Sequence, residues 1–213
     1  LAKNLARKLA VTYVDTGAMF RALAVLATRK NLEFISGEKL LNFFQTLQWA
    51  YCPREGVLVE SHGEVLDHII REHHVSKLAS DFSKLIEVRD YLLQFQRNLA
   101  KEKVLVMEGR DIGTVVFPQA FCKIFLTASA FARAKRRFQE LSEKGTLKEM
   151  SLAQIQEDII KRDEQDSLRD VAPLKAAADA YYLDTTDMDL QQVLQEVIQR
   201  VEEASQKKGI GLL

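Results

Sequence analysis

Two stretches of the sequence place charged and hydroxyl side chains directly behind apolar runs. Asp15, Thr16 and Gly17 follow VTYV, and Glu108, Gly109, Arg110 and Asp111 follow VLVM. In open parallel α/β sheets, ligands bind beyond the carboxyl ends of the strands. Either turn alone would suit an ordinary loop, but the two together suit a shared cleft. Arginines recur around them: Arg21 on the helix after Asp15, Arg89 in the segment 84–100, Arg110 behind the second run, and Arg162 and Arg169 flanking an acidic run. A guanidinium is a planar fork of donors that binds phosphate oxygens in pairs, so this set points to phosphate handling. Taken one at a time, each arginine reads more simply as a solvated surface residue.

The run ARAKRR (132–137) sets Arg133, Arg136 and Arg137 on nearly one helical face. It fits a nucleic-acid patch or a mobile helix that grips phosphate. The patch reading lacks interleaved aromatic residues and a net positive charge. His62, His68, His73 and His74 show no metal-ligand spacing, and Cys52 and Cys122 have no partner nearby, so no zinc site and no protein-held metal are expected. A G-x-S-x-G nucleophile elbow is absent, which weakens a hydrolase reading. Trp49 is most simply a core residue.

These groups need a scaffold, and 213 residues with 47% hydrophobic and 28% charged side chains suit one ordinary globular domain. Thirty basic and thirty acidic residues balance, so no overall field draws the chain to nucleic acid or an anionic membrane. An anion site must be local. Two cysteines cannot form a disulfide framework, and free thiols in a reducing cytosol fit better. No apolar run approaches the roughly 20 residues that span a bilayer, and no signal peptide is visible.

Leu1, Leu5 and Leu9 form one stripe of a helix already under way, before a strand at 11–14. Thr16 suits the N-cap of the next helix, and Ser36 that of a helix over 36–47. WAYC and GVLVES, separated by Pro53, Arg54 and Glu55, read as a hairpin. Residues 72–82 and 84–100 read as helices with a break near Asp81. Strands follow at 104–107 and 122–126, then the basic helix, a helix from Ser151 to about Asp163, a strand at 181–184 and a closing helix over 189–205. Strands alternating with helices predict a parallel sheet covered on both faces.

The segments VDTGAMFRALA, EGRDIGTVVFPQAFCKIFLTAS, RAKRRFQEL and KRDEQDSLRDVAPLKAAADAYYLDTT occur in an order that resembles bacterial cytidylate kinases, and the resemblance covers nearly the whole chain. It implies a P-loop NTPase-like three-layer α/β/α fold with a parallel central sheet. It also implies an inserted, hairpin-containing monophosphate-binding region at about 38–83 and a helical lid at about 138–168. The implied activity is transfer of a phosphoryl group from ATP, with magnesium, to CMP or dCMP, by a cytoplasmic monomer without nucleic-acid or membrane partners. Asp15, Thr16 and Arg21 fall where the family motif meets the monophosphate. Ser80, more than Asp81, falls in the cytosine-recognising stretch, and Asp111 falls where a carboxylate meets the cytosine amino group. Arg89, Arg110, Arg162 and Arg169 fall where arginines hold substrate and transferring phosphates, and Asp166 where a carboxylate binds the sugar hydroxyls. Arg133 and Arg137 fall on the ATP side.

Glu108 stands where many relatives carry Asp. The family's G-x-x-G-x-G-K-G-[ST] phosphate loop is expected upstream of Leu1, since Gly209-Ile210-Gly211 is no substitute. Two other readings remain open: a non-catalytic CMP-binding protein of the same fold, and a kinase with another acceptor such as UMP, AMP or shikimate.

Overall fold

Small and apolar residues fill TGAMFRALAVLATR on every side, and a helix of that kind must be buried all round. In the computed structural model, which describes residues 1–52, 59–101, 104–147 and 150–211, this segment is the buried helix α2 (Thr16–Arg29) of the first of two compact units, Ala2–Ile112. The unit also holds α1 (Ala2–Lys8), β1 (Thr12–Asp15), α3 (Glu38–Thr46), β2 (Ala50–Tyr51), β3 (Val59–Ser61), β4 (Glu64–Val65), α4 (His73–Phe82), α5 (Ile86–Leu99) and β5 (Leu105–Glu108). Met19 and Leu23 of α2 share one core with Val14, Leu40, Val75, Phe82, Val88 and Leu92, and α4 packs along α2.

β1 and β5 pair in parallel, from Thr12 opposite Leu105 to Asp15 opposite Glu108. Both strands run one residue past their expected ends, because the ladder continues to the first charged residue on each side. β2, β3 and β4 form a small antiparallel sheet, and the expected turn at Pro53, Arg54 and Glu55 lies outside the described residues. Two expected caps are corrected. Asp15, not Thr16, caps α2, its carboxylate accepting the Ala18 N–H at 2.8 Å; a carboxylate also favours the positive end of the helix. Gly37, not Ser36, precedes α3, while the Ser36 hydroxyl bonds Glu87.

The second unit, Gly113–Leu213, contains β6 (Ile124–Thr127), α6 (Ala130–Glu143), α7 (Leu152–Leu168), β7 (Tyr181–Asp184) and α8 (Leu190–Lys208). β6 and β7 pair in parallel. The parallel pairing read from the sequence is thus present as one two-stranded sheet in each unit. Helix α8 buries Val193, Val197 and Val201 along one stripe between a capping box at Asp189 and a left-handed Gly209, φ 64°. Helices α6 and α7 pack around Ala134, Leu141 and Ile155. Helix α7 runs past its expected end at Asp163 to Leu168, since RDEQDSL contains no glycine or proline to stop it. Arg162 and Asp166 therefore share one helix, and Arg169 caps its end.

Candidate functional site

The parallel register of β1 and β5 brings both polar turns to one end of the first unit. The hydroxyl of Thr16 donates to the carbonyl of Glu108 at 2.8 Å, clamping the two turns together. Gly109 permits this approach, for an added Cβ would press on the Thr16 hydroxyl and lie 2.7 Å from Ile112 Cδ1. Asp15 and Glu108 are direct partners across the ladder, so two carboxylates stand side by side, and each is compensated. Asp15 accepts from Arg21 Nη2 at 3.1 Å, besides its capping bond, and Glu108 accepts from the Tyr13 hydroxyl. Burial, reinforced by that bond and by the charge of Glu108, pushes the Tyr13 phenol well above the usual tyrosine range. Burial likewise pushes up the phenol of Tyr51, whose oxygen accepts the Asp15 backbone N–H at 2.7 Å.

A second group lies deeper. Arg89 of α5 and Asp111 of the turn after β5 are only 7% and 9% exposed, and Nη1 reaches Oδ2 at 3.0 Å. Arg89 Nε donates to the Ser83 carbonyl at 2.7 Å, and the guanidinium lies over the Phe20 ring at 5.5 Å. The Ser83 hydroxyl donates to the carbonyl of Ser80 at 2.9 Å. Ser80, Arg89 and Asp111 thus belong to one buried network, and Phe20, the residue before Arg21 on α2, borders it. Two buried donors of this unit, Ser80 Oγ and Arg21 Nε, have no hydrogen-bond partner among the described residues. Arg110 is exposed on the same turn as Asp111. Asp81 pairs with Lys84 at 2.8 Å on the surface of α4.

In the second unit, Asp166 is 4% exposed and lies 3.5 Å from Arg169 Nη1 and 3.9 Å from Arg162 Nε. Arg169 Nε also donates to the Ala172 carbonyl at 2.7 Å. Arg133 pairs with Asp163, and Arg137 with Glu140 at 2.8 Å. Arg136, read on the same face, instead donates to the carbonyls of Thr185 and Met188, bracing the turn before α8.

The sequence singled out Asp15, Thr16, Arg21, Ser80, Arg89, Arg110 and Asp111; contacts join Asp15 to Arg21 and Arg89 to Asp111, and Ser83 and Phe20 extend these links to Ser80 and to the helix of Arg21. It missed Tyr13, Phe20, Tyr51 and Ser83. Tyr13 could have been found, since it lies two residues before Asp15 on the same face of a strand. Ser83 offers no signal, because its part is played as much by its carbonyl as by its side chain. Among the described residues, no three His, Cys, Asp or Glu side chains converge as a metal cage.

A family model described as cytidylate kinase matches residues 1–203. A cytidylate kinase of Thermosipho melanesiensis is 41% identical over 203 residues, covering 95% of this chain and 90% of that protein. One from Caldicellulosiruptor saccharolyticus is 43% identical over 200 residues, 93% of this chain and 88% of its own length. One from Thermotoga maritima is 41% identical over 204 residues, 95% and 90% of the two chains. With a matching model over nearly its whole length and relatives 41–43% identical over 93–95% of it, the chain belongs to the cytidylate kinase family.

Proposed function

We propose that this protein transfers the terminal phosphoryl group of ATP to CMP or dCMP, giving CDP or dCDP. The observation that carries this reading is the buried Arg89–Asp111 pair, with the unpartnered donors of Ser80 and Arg21 in the same unit. Buried donors without acceptors are costly, and a nucleoside monophosphate brings both phosphate oxygens and base acceptors. Arg21, Arg89 and Arg110 are the phosphate forks, beside Asp15 and Thr16. Ser80 and Asp111 read the base edge, Asp111 accepting from the exocyclic amine of cytosine. Uracil presents a carbonyl there, so two acceptors would oppose one another at a cost of about 1–3 kcal/mol.

The step is direct in-line transfer. An oxygen of the CMP phosphate attacks the terminal phosphorus of ATP, the bond from that phosphorus to the bridging oxygen breaks, and ADP leaves with the electron pair. Little covalent work falls to the protein, so positioning and positive charge carry the catalysis. Arg162 and Arg169 are assigned to the transferring phosphates and Asp166 to the sugar hydroxyls. Arg133 and Arg137 are assigned to ATP, which would compete with the carboxylates of Asp163 and Glu140 for them.

A magnesium ion accompanying ATP keeps most of its waters and needs only one or two carboxylates beside the phosphates. Asp15 is engaged by its helix cap and by the charged Arg21, so Glu108, exposed at the strand end and bonded to the neutral Tyr13 hydroxyl, would be the carboxylate better suited to meet the ion. The ion would supply charge neutralisation between the phosphates. The finer architecture we assign is the three-layer fold, with a monophosphate-binding insertion at about 38–83 and a helical lid at about 138–168. No helix among the described residues is long and apolar enough to cross a membrane, and a cytoplasmic monomer is the form we propose.

The test is ADP release by the full chain with CMP, dCMP, UMP and AMP in turn. Turnover with the two cytosine nucleotides at least tenfold above the others is expected. Equal turnover with UMP or AMP would replace the acceptor assignment.

A further inference from the structure

We infer that Ser83 is a positioning residue for pyrimidine recognition, tying the helix end that carries Ser80 to the arginine that holds Asp111. The inference rests on the assignment of this network to CMP. Ser83 is 6% exposed and caps α4, its N–H bonding the Ala79 carbonyl at 2.9 Å. Its hydroxyl donates to the Ser80 carbonyl at 2.9 Å. Its own carbonyl accepts Arg89 Nε at 2.7 Å, and Arg89 Nη1 then reaches Asp111 at 3.0 Å. One residue therefore sets the spacing between the hydroxyl assigned to the base and the guanidinium assigned to the phosphate.

A serine that merely ends a helix would spend its carbonyl on water or on the following turn. Here a buried guanidinium takes that carbonyl, and both partners of Ser83 belong to the candidate site. Arginine has four rotatable side-chain bonds, and fixing Nε against a rigid carbonyl aims the two terminal nitrogens. The hydroxyl acts on the other partner, holding the last turn of α4 so that the buried Ser80 Oγ keeps its place.

Replacing Ser83 by alanine keeps the carbonyl that holds Arg89 and deletes only the tie to Ser80. In titration calorimetry and steady-state assays of the full chain, Ser83→Ala is expected to raise the Kd and KM for CMP about five- to tenfold. The KM for ATP and kcat should stay within about twofold of the parent. The effect should fall below about twofold in a Ser80→Ala background, since the two residues act as one unit. An unchanged CMP Kd with a lowered melting temperature would reduce Ser83 to a structural cap and overturn the inference. So would an effect that adds fully to that of Ser80→Ala. Should Ser83→Ala not fold, Ser83→Cys, a weaker donor, is expected to raise the Kd in the same direction, and an unchanged value there counts equally against it. Arg89→Met is the control. If it leaves CMP binding unchanged, the CMP assignment itself fails; if it weakens binding while Ser83→Ala does not, only the role of Ser83 falls.

Discussion

Removing the guanidinium of Arg89 separates what the buried pair does for stability from what it does for substrate. In Arg89→Met the new side chain fills similar space, but Asp111, 9% exposed, loses the bond from Arg89 at 3.0 Å and the Ser83 carbonyl loses the Arg89 Nε donor. Breaking a buried ion pair from one side costs about 3–5 kcal/mol, because the remaining charge stays buried. At about 2–4 °C per kcal/mol for a chain of this size, the melting temperature should fall by about 6–20 °C. Replacing both partners, as in Arg89→Met with Asp111→Leu, removes the buried charge and should return most of that stability. It should not return CMP affinity, which needs both groups. The assay is urea unfolding followed by fluorescence of Trp49, the single tryptophan. Trp49 stacks on Phe95 and donates to the Tyr91 hydroxyl at 3.0 Å, so it reports this unit. Calorimetric titration of CMP runs in parallel. A single variant as stable as the parent, or a double variant that binds CMP like the parent, would mean that the Arg89–Asp111 pair does not serve both stability and substrate.

Asp111→Asn should narrow the preference for CMP over UMP by about 1–3 kcal/mol, or about five- to 150-fold in kcat/KM, because an amide can donate to the uracil carbonyl; competition kinetics with the two nucleotides measures it. Gly109→Ala should destabilise by about 1–3 kcal/mol in urea melts, since its Cβ would crowd the Thr16 hydroxyl and Ile112. Both Tyr13 and Tyr51 hold their protons more tightly in the fold than in the unfolded chain. Their contribution is therefore intact below about pH 10 and is lost above it, at about 1.4 kcal/mol per pH unit for each phenol. Tyr13→Phe should shallow that alkaline decline by about one proton's worth, seen in urea melts between about pH 10 and 11.5.

The sequence carried the strands and their parallel pairing because VTYV, VLVM and their like are short apolar runs stopped by polar residues. The polar residues at those stops were legible for the same reason. Asp15 and Thr16 read as a pair, but which of them capped α2 did not, since either side chain can accept a backbone N–H and only the ladder shows Thr16 spent on Glu108. The extension of α7 to Leu168 was missed because its last turn is polar and shows no apolar stripe, although nothing in it breaks a helix. Arg89 and Asp111 were each visible as types, while their pairing joins residues far apart in the chain and no local pattern reports it. Ser83 and Tyr13 contribute through a carbonyl and a phenol that resemble many others until the fold gives them partners.

Affinity of the full chain for CMP against UMP, measured by titration calorimetry before and after Asp111→Asn, tests the account most directly. The parent should bind CMP at least tenfold more tightly than UMP, and the variant should lose most of that difference. Equal affinity for both nucleotides in the parent, or a preference that survives the change, would contradict the claim that this buried carboxylate reads the amino edge of cytosine.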